Sequence, residues 1–509
     1  MLEAPVSSIR VLFSWEWFPV WILVAGTCLG LYRLTLHPLS TFPGPFWAKI
    51  TGLWRSRRYF AGTWHEDILA LHRNYGRVVR VAPNELSIVD ENAMKLLYGH
   101  GHNSTKTAWY QVWEMPDVAP GLFATQDKNI HSFLRKRVSS AYSMTSILRY
   151  EPYIQGMLNL LFSKLAAHSR AGRSVNMSDF TNALAFDVVG ELAYSEPMGH
   201  LETETDVMDL RKIIFNGFFV MGNLGHAWGQ MIWFNNPIMR LAMKLKPQVQ
   251  SFDAFQQWSA MRVKERLDNL GDTKRYDMLT HFVGMKGADG GSASFGEVLI
   301  EAMNIIGAGA DTTSIGMRTC LYYICTRPEV FKKVQQEVDA FYETRESAAP
   351  ISYLETQTLP YLQAVVREAL RMLPSIVWQL LRHAPVGLVV DGKEIPAGTI
   401  VGISPLAQNR DPAIWGDDAD EFRPERWLES EDRSRYLESR NMTFGGNGPR
   451  MCIGRNIALV EIHKFVAQIV RNFDAEFVDP QNPWKISTTW FAYQKDMHMR
   501  FKLRPHTRI

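Results

Sequence analysis

The chain has 509 residues, 46% of them hydrophobic and 21% charged, which excludes the disordered, collagenous and fully membrane-embedded classes. Lys and Arg number 55 against 52 Asp and Glu, a net +3 with no run of five or six like charges. Nucleic acid is therefore not an expected partner, because its binders carry a basic patch or stripe.

The N-terminus stands apart. From Val11 to Tyr32 there is one charge, Glu16, and Trp17–Tyr32 has none. With the preceding turns this approaches the ~20 residues that cross a bilayer. Trp15, Trp17, Trp21 and Tyr32 sit near its ends, as interfacial aromatics do. A cleaved signal peptide is the rival reading, but the four cysteines (Cys28, Cys320, Cys325, Cys452) show neither zinc spacing nor a disulfide framework. The expectation is a single-pass anchor over 1–36, a Pro/Gly hinge over 37–48, and one cytoplasmic body over 49–509.

That body reads as mainly α with a smaller β part, an α+β chain. Strands are expected at Val78–Ala82 and Glu85–Val89, divided by the turn dipeptide Pro83-Asn84. Helical periodicity covers His131–His168, Phe252–Leu270, Phe295–Cys325, Glu329–Phe341 and Pro360–Leu373. Leu388–Val390 followed by Asp391-Gly392 predicts a hairpin, and Thr399–Ser404 a further extended segment. Phe215–Asn236 mixes aromatics with Gly and Met, which suits an adaptable apolar lid or an aromatic core equally well.

Three segments carry chemistry. Cys452 lies between the Gly445/Gly446/Gly448 loop and a helical pattern from Ile453 onward, flanked by Arg450 and Arg455. Helix N-terminal N–H groups and cations favour thiolate, and a lone Cys without a paired base suits an axial metal ligand. In Ile305–Ser314, Gly307 and Gly309 weaken a helix while Thr312 and Thr313 bend it. That predicts a locally opened turn bearing the acid Asp311 and the hydroxyl of Thr312. Glu368 and Arg371 share a helical face at i,i+3 on an apolar segment, so they need buried partners, and Arg426 is the expected third member.

Together and in this order, the segments resemble the cytochrome P-450 family of haem-thiolate monooxygenases over essentially the whole chain. The resemblance implies the cytochrome P-450 fold, haem b (iron protoporphyrin IX), and Cys452 as the axial iron ligand. It gives Asp311 and Thr312 the oxygen-activation and proton-delivery roles, and makes Glu368, Arg371 and Arg426 a structural triad. Arg135, Arg382 and Arg450 match positions that pair with haem propionates. Two departures stand out: His131 replaces the usual tryptophan four residues before Arg135, and Phe444 lies eight rather than seven positions before Cys452.

Finer similarity, in Tyr75–Ser87, Gly454–Val466 and Val478–Asp496, is to filamentous-fungal, pisatin-demethylase-like members. Those tailor secondary metabolites such as terpenoids, alkaloids or polyketides. The implied partners are an apolar small-molecule substrate, O2, the endoplasmic reticulum membrane, and NADPH-cytochrome P-450 reductase with cytochrome b5 as a possible second donor. Lys136, Arg137, Arg455 and Lys464 are candidates for the reductase-docking face. Pocket segments carried over by position are Trp109–Phe123, Phe215–Met231, Met303–Ala310, Ser375–Leu380 and Trp490–Phe491. A haem-thiolate isomerase or dehydratase and a non-catalytic haem- or ligand-binding protein are the rival readings.

Overall fold

Ser294 starts the element around which the molecule is arranged. Its hydroxyl accepts from the Glu297 N–H while the Glu297 carboxylate accepts from the Ser294 N–H, and this capping box opens a helix that runs unbroken over Phe295–Cys325. The computed structural model describes residues 17–505 and 507, apart from 103, 115–118, 228–235, 239–240, 242–246 and 270–274. In chain order the helices used below are α1 (Phe18–Thr35), α2 (Lys128–Val138), α3 (Met144–Arg170), α4 (Met177–Tyr194) and α5 (Leu210–Leu224). They are followed by α6 (Pro247–Asp268), α7 (Phe295–Cys325), α8 (Pro328–Glu343), α9 (Pro360–Met372) and α10 (Arg455–Asn472).

The largest apolar cluster gathers where α7 lies along α4 and meets α6, α9 and α10, with α3 on the far side of α4 and α10. Each helix buries the stripe its sequence predicts: on α9, Leu362, Val365, Val366, Ala369 and Leu370 are all buried. One expected helix is two. The periodicity over 131–168 is interrupted at 139–143, where the Ser143 hydroxyl donates to the Ser140 carbonyl and accepts from the Ser146 N–H. Serine side chains that bond neighbouring backbone compete with helix continuation.

The β part is smaller and peripheral. β1 (Val78–Ala82) and β2 (Glu85–Ile88) form the expected antiparallel pair, with Val78 opposite Ile88. With β3 (Thr105–Lys106), β5 (Arg382–His383) and β8 (Ile400–Gly402) they make a five-stranded sheet, order β1-β2-β8-β5-β3. β4 (Val175–Asn176), β9 (Phe473–Phe477) and β12 (His498–Leu503) form a second sheet, and β10 (Lys485–Thr488) pairs with β11 (Ala492–Lys495). The short hairpin β6–β7 (389–390 and 393–394) turns on Asp391 and Gly392, both at positive φ (50° and 70°), the backbone a two-residue hairpin requires.

At the N-terminal end, α1 is an 18-residue apolar helix of mean hydropathy 1.4 with no buried residue. The chain that follows is pinned to the body: Leu39 and Phe42 are buried, and the buried Arg80 guanidinium donates to the Arg33 carbonyl at 2.9 Å and the Leu39 carbonyl at 3.2 Å.

One buried group predicts a pH response. Glu461 of α10 is 1% exposed and neither carboxylate oxygen has a hydrogen-bond partner, so burial holds its carboxyl well above the usual range. A raised folded-state value means the acid is tolerated as its neutral form, and stability declines as pH rises from the ordinary glutamate value toward the folded one. Thermal melting of Glu461→Gln should therefore match the parent at pH 5 and exceed it at pH 8; equal melting at both would show that the carboxyl ionises in place.

Candidate active site

Cys452 lies three residues before α10 begins, and its N–H donates to the Phe444 carbonyl at 2.9 Å, closing the preceding loop. Gly445 and Gly446 both sit at φ near +81°. This left-handed doublet takes up the extra residue of the loop, while Phe444 stays packed against the main core with the Arg455 guanidinium 5.6 Å from its ring. Gly448 has a different constraint: a Cβ there would fall 1.6 Å from the Tyr98 carbonyl oxygen. The glycine serves the loop's approach to that backbone.

The Cys452 side chain is exposed although it is set deep among surrounding atoms, as expected of a group lining an internal void. The expectation of a depressed thiol value is corrected. Burial pushes the thiol up and outweighs the Gly454 and Arg455 N–H groups and the Arg135 and Arg455 guanidiniums, which favour thiolate. A helix terminus alone does not ionise this sulphur; a metal cation would.

Four cations gather around His131, one of them, Arg135, close to Cys452. Arg135 donates to the Met451 carbonyl at 2.8 Å, Arg450 to the Thr125 and Gln126 carbonyls at 3.0 and 3.1 Å, and Arg382 to Tyr110 Oη at 3.0 Å. Lys106 reaches the Phe123 carbonyl. Among the described residues none of the four has a carboxylate partner within ion-pair distance. Burial and the neighbouring Arg382 lower Arg450 to about 10, and burial, Arg382 and Arg450 hold Lys106 well below its usual range. His131 is buried in the same field and lowered to about 3, so it is neutral and offers one ring N–H. A cavity of about 590 Å³ opens here, lined among others by His131, Arg135, Arg382 and Arg450 but by neither Cys452 nor Thr312.

Across from α10, α7 does not break at its glycines. Thr312 Oγ1 donates to the Ala308 carbonyl at 2.7 Å, and Ser375 Oγ donates to the Thr312 carbonyl at 2.7 Å. Ala308 is exposed on a mostly buried helix and Gly307 faces open space. Asp311 is turned elsewhere: 2% exposed, it accepts from Tyr493 Oη and Asn182 Nδ2, both at 2.7 Å. Burial raises its carboxyl against the pull of those bonds and of Arg318. The acid and the hydroxyl therefore have separate hydrogen-bond partners, and sequence gave no hint of Tyr493 or Asn182.

Glu368, Arg371 and Arg426 do meet, all at 0% exposure. Glu368 receives two bonds from Arg371 (2.8 and 2.9 Å), one from Arg426 Nε (2.9 Å) and one from Trp427 Nε1 (2.9 Å). Arg371 also donates to the Asn409 and Ala419 carbonyls at 2.7 Å. Asn409 carries the connection onward, its Oδ1 accepting from the Met442 N–H at 2.8 Å and its Nδ2 donating to Thr443 at 3.1 Å.

The model of the family described as Cytochrome P450 matches residues 41–499. The chain is a cytochrome P450. It is 32% identical over 487 residues to the cytochrome P450 monooxygenase cicH of Emericella nidulans, covering 93% of this chain and 95% of that one. A pisatin demethylase of Fusarium vanettenii is 30% identical over 505 residues, 96% of each chain. The cytochrome P450 monooxygenase gsfF of Penicillium aethiopicum is 31% identical over 490 residues, 93% and 95% covered.

Membership in the P450 family implies haem, and the residues present fit it. Cys452 is an accessible thiol beside backbone N–H groups, the unpaired cations match a dianionic group, and the Gly307-Ala308 face is open. Of the P450's expected docking cations, two are corrected. Lys464 is buried against Glu151, and the Arg137 side chain is buried between Glu297 and Glu301, the latter pushed up to about 7 by burial. Lys136 remains exposed, and Arg455 pairs with Glu438 at 2.6 Å. Three of the five pocket segments converge: Trp109, Trp113, Phe123, Phe218, Trp490 and Phe491 form one aromatic cluster. Residues 115–118 and 228–231 of those segments lie outside the described residues.

Arg371→Lys keeps one charge and loses the planar fork that serves Glu368 and three carbonyls. Breaking a buried pair costs about 3–5 kcal/mol, so the variant should melt lower and purify with a reduced haem-to-protein ratio. Unchanged melting and haem content would show that the network does not hold the Cys452 loop.

Proposed function

We propose that the chain is a membrane-anchored monooxygenase that inserts one atom of O2 into an apolar small molecule of fungal secondary metabolism. The observation that carries this reading is the combination of an accessible deep-set thiol at Cys452, just before α10, with an unbroken α7 whose Gly307–Ala308 face is open and whose Thr312 hydroxyl lies one turn on. Retention of the Asp311–Thr312 pair disfavours the isomerase and binding-protein readings. Haem b, when bound, supplies O2 activation and C–H oxidation; the chain supplies binding, orientation and proton handling.

In this reading Cys452 is the axial ligand. Arg135, Arg382 and Arg450 hold the propionates, with the His131 ring N–H as a further donor and Lys106 adding positive potential. Thr312 presents a hydroxyl on the open face of α7, and Asp311 is the buried acid from which protons are replenished, its carboxyl kept in place by Tyr493 and Asn182. Glu368, Arg371 and Arg426 act as the structural triad. The aromatic cluster excludes water and orients an apolar substrate.

Residues 1–36 serve as a single-pass anchor in the endoplasmic reticulum membrane, 37–48 as the hinge and 49–509 as the cytoplasmic catalytic domain. Electrons come from NADPH through a separate cytochrome P450 reductase, with cytochrome b5 as a second donor. The test is reconstitution with that reductase and NADPH. Oxidation should require both, and Thr312→Ala should divert NADPH consumption into released peroxide. Peroxide yield per NADPH equal to the parent's would reject the role of Thr312, and turnover without reductase would reject the monooxygenase.

A further inference from the structure

The aromatic cluster carries more information than apolarity. Trp490 meets Trp109 edge to face at 4.5 Å, lies 5.6 Å from Trp113 and 5.2 Å from Phe123, and stacks on Phe491. Phe218 of α5 closes over Trp113 and Phe491 at 5.0 and 4.6 Å. The cluster is tied to the reacting turn. Phe491 packs on Ile315, and the next residue's N–H donates to the Ser375 carbonyl, while the Ser375 hydroxyl holds Thr312.

One indole here is satisfied: Trp109 Nε1 donates to the Gly222 carbonyl on α5 at 3.0 Å. Among the described residues the indole N–H groups of Trp113, Trp378 and Trp490 have no acceptor, nor has the Gln379 amide nitrogen, whose oxygen already accepts from Tyr59 and Trp64. Trp378 and Trp490 are only 2% and 3% exposed, and buried indole N–H groups ordinarily find partners. On the acceptor side, Asn223 Oδ1 of α5 is orphaned among the described residues, as are the Thr107 and Thr489 hydroxyls, which can donate or accept. The lining is therefore donor-rich and flat-faced.

We propose that the site selects a flat, conjugated ring system bearing at least two neutral oxygen acceptors, such as a carbonyl and a ring or aryl ether. Its faces lie against the Trp113, Phe123 and Trp490 rings as α5 lifts, and its oxygens take the N–H groups of Trp113 and Trp490. This rests on the reading of the cluster as the substrate side of a monooxygenase. It sets saturated terpenoid skeletons below oxygenated arenes.

The full-length holoenzyme is titrated with three probes of similar size by equilibrium dialysis and by the Soret shift. They are flavone (flat, two acceptors), phenanthrene (flat, none) and perhydrophenanthrene (saturated, none). Flavone should bind about tenfold or more tighter than phenanthrene, the worth of a net hydrogen bond, and phenanthrene tighter than the saturated probe. Trp490→Phe and Trp113→Phe keep a ring but remove the donor; each should weaken flavone about tenfold and leave phenanthrene unchanged. Absence of flavone binding, an equal or better saturated probe, or variants that weaken flavone and phenanthrene alike would overturn the proposal. The carbon monoxide spectrum and haem content of each protein report the haem-thiolate reading separately, and dialysis decides the probe order whatever that spectrum shows.

Discussion

A single buried carboxylate, Glu368, organises the half of the molecule that presents Cys452. It accepts from two guanidiniums, an indole and the Arg423 N–H, all at 2.8–2.9 Å and all out of water. A buried charge of this kind is retained only when every lone pair is used, and removing one partner strands the rest. Its second effect is positional. Arg371 fixes the Asn409 carbonyl, Asn409 fixes Met442 and Thr443, and the carbonyl of the next residue, Phe444, takes the Cys452 N–H. The place of the thiol is thus set by a chain of short bonds that begins on α9.

Around the thiol the electrostatics are unbalanced in a way that suits an anionic, metal-bearing guest. Burial pushes the Cys452 thiol up, and Arg382, Arg450 and Lys106 nearby repel one another. Bound haem would ionise the sulphur through its iron and neutralise the cations through its propionates, so binding and folding are linked: whatever binds the folded chain stabilises it. On α7, burial and two hydrogen bonds turn the Asp311 carboxyl away from the Thr312 hydroxyl while both stay on one turn.

Much of this was legible in the sequence because it depends on local rules. The Asp391-Gly392 turn, the ExxR spacing and the glycine loop before Cys452 are short-range signals with one physical meaning each. What stayed hidden depends on residues distant in the chain. Tyr493 lies 182 positions from Asp311 and Asn182 lies 129 away, and no periodicity links them. Arg137 and Lys464 read as surface cations because their acidic partners, Glu297, Glu301 and Glu151, come from other helices. The thiol's direction of shift was misread for the same reason: helix ends and arginines are visible in sequence, but the depth of burial is not.

The account stands or falls on Cys452 as the working iron ligand. The most direct measurement is the carbon monoxide difference spectrum of the dithionite-reduced, membrane-expressed full-length protein. A strongly red-shifted Soret band, the signature of thiolate opposite carbon monoxide, is the result the structure predicts. A band at the position of imidazole-ligated haem, or no haem at all, would contradict it.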